Sequence, residues 1–206
     1  ANGTNRIAVV SQSIAAIATF ARHGMREFKL SLTLSACAIP GAIIGALIGT
    51  RWEGIWFNRA LALIMVAIML LMYFDKGAAK QAEDYQPTRR QLTLGHVLMV
   101  GVGFWGGLIQ VGVGFIIMPV LNRVMGLDLV RTNALKVFII GAYSIVALLV
   151  FMSQLELLWL IGIVLAIGYA IGGWLGAHFT MKAGERLIKT VMYVVLVVFV
   201  IKLLFT

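Results

Sequence analysis

The sequence predicts an all-α integral membrane protein built as two inverted repeats of transmembrane helices. Three observations carry that expectation. First, 61% of the residues are hydrophobic and only 12% charged, against about 25% charged in a soluble domain. The mean hydropathy is +0.98. Second, the apolar residues fall into bands of helix-spanning length separated by short polar turns, and no band shows the strand alternation of a barrel. Third, the two halves match each other at offsets of 127 and 128 residues.

The first band, Ile7 to Ala21, contains Ser11, Gln12, Ser13 and Thr19. Such a helix suits a bundle interior better than lipid. A basic turn with Arg22, His23, Arg26 and Lys29 leads to the second band, Leu30 to Thr50, 21 uncharged residues that can span a bilayer. It carries Pro40 and the spacing Gly41, Gly45, Gly49, a flat stripe against which another helix can pack closely. Cys37 lies in this band as a small packing residue, and a single cysteine excludes a disulfide framework.

The third band runs from Arg59 to Phe74, and the polar stretch Asp75 to Arg90, with seven charges, is the one linker. From Gln91 to Asn122 there is no Asp, Glu, Lys or Arg for 32 residues. Yet Gly106, Gly107, Gln110, Gly112 and Gly114 sit in its middle. Lipid-buried helices gain nothing from such a cluster unless the backbone breaks or packs tightly there. A break at membrane depth is tolerated only in contact with protein or a cavity. This stretch is therefore expected to enter and return as two half-helices. Further bands follow at Thr132 to Phe151 and Leu157 to Ala177, then a basic turn (Lys182, Glu185, Arg186, Lys189) and a last band from Thr190 to Phe205.

Within the repeat, Thr4-Asn5 matches Thr132-Asn133, and Gly41, Gly45 and Gly49 match Gly168, Gly172 and Gly176. Arg59 matches Arg186 and Met65 matches Met192. Weak internal symmetry of this kind marks secondary transporters. It divides the chain into a first repeat (1–74), a polar cytoplasmic linker (75–91) and a second repeat (92–206). The second repeat has about 40 residues before its Thr-Asn and the first has three. Symmetry therefore predicts a further glycine-rich segment of about 40 residues ahead of Ala1, the re-entrant pair of the first repeat.

Charge tests the topology. If 91–122 crossed once, the basic residues of the turns would divide seven against seven. If it returns, twelve gather on one side (Arg22, Arg26, Lys29, Lys76, Lys80, Arg89, Arg90, Arg123, Arg131, Lys182, Arg186, Lys189) and only Arg51 and Arg59 on the other. The second division obeys the positive-inside rule and puts the twelve in the cytoplasm. The net charge of +9 thus reflects topology and lipid contact rather than nucleic acid.

The candidate site follows from the same stretch. A half-helix starting after Gly112-Val113-Gly114 would present free N–H groups and a partial positive charge to an anion, and Gln110 adds two donors. A tight glycine contact between helices is the alternative. Lys136 precedes 19 uncharged residues; an ionisable group there is a functional candidate, or else it snorkels to the near interface. Arg6 has a similar place two residues after Thr4. Thr4, Asn5, Thr132 and Asn133 could donate to a substrate or cap their helices. Histidine, serine-nucleophile and Walker motifs are absent, and all eight acids lie in turns or flanks. No enzyme and no cofactor are expected, and no membrane-buried carboxylate is available as a proton relay.

Gly3-Thr4-Asn5-Arg6, the run from Gly107 to Pro119 with Gly112 and Gly114, Thr132-Asn133 with Lys136, and the closing Gly184-Glu185-Arg186-Leu187-Ile188-Lys189 resemble the sulfite exporter TauE/SafE family. The likeness covers essentially the whole chain; Val113 departs from it, standing where a glycine is often found. The resemblance implies a bacterial inner-membrane transporter with two inverted repeats, exporting small sulfur-containing anions such as sulfite, sulfoacetate or organosulfonates. Its partners would be that anion and the lipid bilayer, with a coupling ion and self-association left open. The rival readings are a non-transporting membrane scaffold, with the glycines as packing seams, and a passive anion channel.

Overall fold

The computed structural model describes residues 2–24, 27–51 and 86–205. The third band and most of the linker lie outside the described residues, as do Arg59 and Met65 of the repeat. What is described is helical throughout, with no strand among the described residues.

Helix α1 spans Asn2–Arg22, α2 Phe28–Gly49, α3 Arg89–Leu108, α4 Val113–Pro119, α5 Leu129–Gln154 and α6 Trp159–Phe205. Four helices are long and apolar enough to cross a membrane: α2, α3, α5 and the first part of α6, Trp159–Lys182. Helix α1 is not among them, in keeping with its polar residues: Thr4, Arg6, Ser13 and Thr19 are all buried in the bundle.

Each boundary has a local cause. Thr88 and Gln91 form a capping box at the start of α3, satisfying N–H groups that the first turn cannot pair. Asp128 caps α5, its Oδ1 accepting from the N–H groups of Val130 and Arg131 at 2.9 Å each. The capping role open to Thr4 and Thr132 is thus not theirs at their own helices. The Thr4 hydroxyl instead accepts from Leu158 N at 3.3 Å, just ahead of α6.

The long uncharged stretch does break and return. Helix α3 ends at Leu108, Gln110 and Gly112 take positive φ (68° and 74°), and α4 leads through a π turn, Val120–Val124. There Met125 N donates to Val120 O and the Asn122 side chain donates to Leu127 O at 2.6 Å. Met125 lies against Gly95, near the start of α3, so the return arm runs antiparallel to α3. The arms are unequal, however. At 1.5 Å per residue the 20-residue α3 is about 30 Å long, a full crossing rather than a half-helix, and only the return arm is short.

The glycine stripe of α2 packs backbone to backbone on α3. Cβ atoms at Gly41, Gly45 and Gly49 would run into the carbonyls of Val100, Phe104 and Leu108, and those at Gly103 and Gly107 into Ala38 and Ala42. Helices α2 and α3 therefore run parallel. Helix α1 packs mainly against α6, and α5 lies between the two pairs. Helices α1 and α5, matched by sequence, run in opposite directions: Gly3 lies beside Phe151, and Ser13 beside Gly141.

The expected turn at Lys182 to Lys189 does not end a helix: α6 continues for 47 residues. Lysine, arginine and glutamate are good helix formers, so charge there changes polarity without breaking the backbone.

Candidate functional site

A cavity of about 870 Å³ opens between α1, the α3–α4 turn, α5 and α6. Five of the nine residues singled out by sequence line it: Asn5, Gln110, Gly114, Asn133 and Lys136. Thr4, Arg6, Gly112 and Thr132 do not.

Lys136 is the cation of this cavity. It sits on α5 seven residues past Leu129, about 10 Å along the helix. It is half-buried and makes no hydrogen bond or ion pair among the described residues. An unpaired ammonium inside an apolar bundle is costly unless water or an anion satisfies it. Gly114 keeps room beside it: a Cβ there would lie 3.6 Å from the Lys136 Cδ. Asn133, one turn back on α5, donates to the Thr180 hydroxyl at 3.0 Å, which donates in turn to Gly176 O at 2.8 Å. These bonds fix the wall formed by α6.

Arg6 is wholly buried, and its place differs from that of Lys136. Its Nη1 donates to Gly106 O and to Gln110 Oε1 at 3.1 Å each, and its Nη2 donates to Gly107 O. Its Cζ lies 4.6 Å from the centre of the Phe151 ring, a cation–π contact. Asn2 adds a bond to Leu108 O at 3.0 Å. The last carbonyls of α3, which a helix end leaves without partners, are thereby satisfied from α1. Thr132 is fully buried and packed towards Leu127 O. Gly112 forms the turn and Gly114 lines the cavity.

Among the polar cavity residues that escaped sequence reasoning are Gln12 and Ser13 on α1. Their signal was the spacing Asn5, Val9, Gln12, Ser13, Ala16, Phe20, one face of a helix. Thr180 carried no such signal, because its role depends on Asn133 across the bundle. Phe20 borders both this cavity and a small pocket of about 30 Å³ beside Glu27 and Arg131, which form an ion pair between the starts of α2 and α5.

The family model described as Sulfite exporter TauE/SafE matches residues 1–203. The chain is 27% identical over 202 residues to the probable membrane transporter protein ORF9 of Sinorhizobium sp, covering 98% of this chain and 77% of that one. It is 24% identical to YunE of Bacillus subtilis over 209 residues (95% and 77%). It is 25% identical to YfcA of Escherichia coli K12 over 207 residues (98% and 74%). Both are likewise named probable membrane transporter proteins. No solved structure gives a significant match.

Proposed function

The chain belongs to the sulfite exporter TauE/SafE family and is a multi-pass bacterial membrane transporter, and on that premise we propose that it is a secondary exporter of small sulfur-containing or organic anions. Sulfite, sulfoacetate and organosulfonates are the substrate class, and alternating access is the mechanism. The observation that carries this is Lys136: an unpaired cation on the wall of an 870 Å³ cavity among spanning helices. Gln110, Asn133 and Asn5 supply neutral donors around it, and the small Gly114 leaves space for the anion. Charge and donors in a site shielded from water bind an oxyanion far better than the same groups at a surface.

The two-repeat division, 1–74 and 92–206 about the linker 75–91, belongs to the same proposal. The opposed directions of α1 and α5 support it, since inverted copies of one helix must run oppositely. Phe20 and the Glu27–Arg131 pair would then close the cavity towards the end that gathers Arg22, Lys29, Arg89, Arg90 and Arg123, taken as cytoplasmic.

Binding of sulfite, sulfoacetate and taurine to the purified protein, with chloride as control, tests the reading through the rise in melting temperature that a ligand of the folded state produces. One sulfur anion should raise it, with the response lost in Lys136→Gln. An unchanged response in that variant would remove Lys136 from the site. No response to any of the three in the unaltered protein would sink the exporter reading.

A further inference from the structure

We propose that Arg6 is the positioning residue of the anion site: it touches no cargo, but holds the Gln110 carboxamide so that its NH2 group faces the cavity. This rests on the transport reading above.

A guanidinium has five N–H donors and no acceptor. The atom of Gln110 that it holds at 3.1 Å is accordingly the oxygen. The amide nitrogen is left over; among the described residues the buried Tyr143 hydroxyl is its side-chain neighbour, and an amide has a second N–H to offer. Gln110 is only 8% exposed, and it lines the same cavity as Lys136. Arg6 itself is 0% exposed and does not line that cavity, so an anion reaching Lys136 meets Gln110 and not Arg6.

The backbone agrees with the side chains. Gln110 holds φ at 68°, a conformation that a residue with a Cβ keeps only when its surroundings impose it. Arg6 imposes it from three directions, through the carbonyls of Gly106 and Gly107 and the Gln110 amide. The same bonds remove an obstacle. The C-terminal end of α3 carries a partial negative charge next to the place where an anion is to bind. A buried guanidinium on its last carbonyls screens that charge, while the Gln110 amide presents a donor in its stead.

Two substitutions in the full chain test this, with affinity for sulfite and sulfoacetate measured well below the melting temperature. Gln110→Glu places a carboxylate opposite Arg6, so the melting temperature without ligand is retained or raised. The same change replaces the cavity's NH2 donor with a negative oxygen, and affinity should fall by about tenfold or more. Arg6→Lys keeps the charge but loses the planar fork; affinity of the folded protein should again fall about tenfold, along with the melting temperature. A merely structural Arg6 would lower the melting temperature and leave affinity unchanged. Wild-type affinity in either variant overturns the proposal. If that result accompanies loss of the anion response in Lys136→Gln, the transport reading survives and only the positioning role falls. No anion response in the unaltered protein sinks both.

Discussion

Gly112 and Gly114 stand two residues apart and do different things. Gly112 has φ of 74°, where an L side chain costs about 1–2 kcal/mol. Gly112→Ala should lower the unfolding free energy by about that amount, seen as an earlier thermal transition. Gly114 has ordinary helical geometry, and a Cβ there would make an ordinary contact with Lys136. Gly114→Ala should therefore leave the transition nearly unmoved while weakening sulfite binding, because the methyl group takes up space beside the ammonium. Equal losses of stability in both variants would contradict the assignment of one to the turn and the other to the cavity. The turn was legible in the sequence because glycines in an uncharged run have few other uses. The work of Arg6 was not: its partner Gln110 is 104 residues away, and spacing alone does not distinguish a cation that meets cargo from one that binds a helix end.

Helix lengths were legible and helix ends less so. The 21-residue second band became the 22-residue α2, because uncharged length is what a bilayer selects. The basic cluster at Lys182 was expected to end a helix and does not, because a change of polarity marks a membrane boundary while backbone continuity depends on propensity and caps. The glycines of α3 carry the next prediction. Gly103 lies against the backbone of Ala38 on α2, while a Cβ at Gly101 would meet nothing within 4 Å. Gly103→Ala must push the two helices apart, and Gly101→Ala fills open space and gains up to about 1 kcal/mol of helix propensity. Thermal unfolding of the two variants side by side should show a clear loss for the first and no loss for the second. Similar transitions for both would mean that the α2–α3 contact is not held by close backbone approach.

At the scale of the molecule, the return of the chain after α3 decides which basic residues share a face. Among the described residues, Arg22, Lys29, Arg89, Arg90, Arg123 and Arg131 gather at the end where α1 finishes and α2, α3 and α5 begin. Arg51 follows α2 at the opposite end. The positive-inside rule favours such a one-sided division, because seven against seven is not a topology that insertion favours. Single-cysteine labelling in whole cells checks it. With Cys37 replaced by alanine, Arg51→Cys should react with a membrane-impermeant thiol reagent added outside, while Lys29→Cys and Arg89→Cys should react only after the membrane is opened. Lys29 and Arg89 labelling from opposite sides would contradict the parallel packing of α2 on α3, and with it the hairpin that brings Gln110 to the cavity. All three in reversed order would keep the fold and turn the molecule over. The Glu27–Arg131 ion pair would then lie at the outer face.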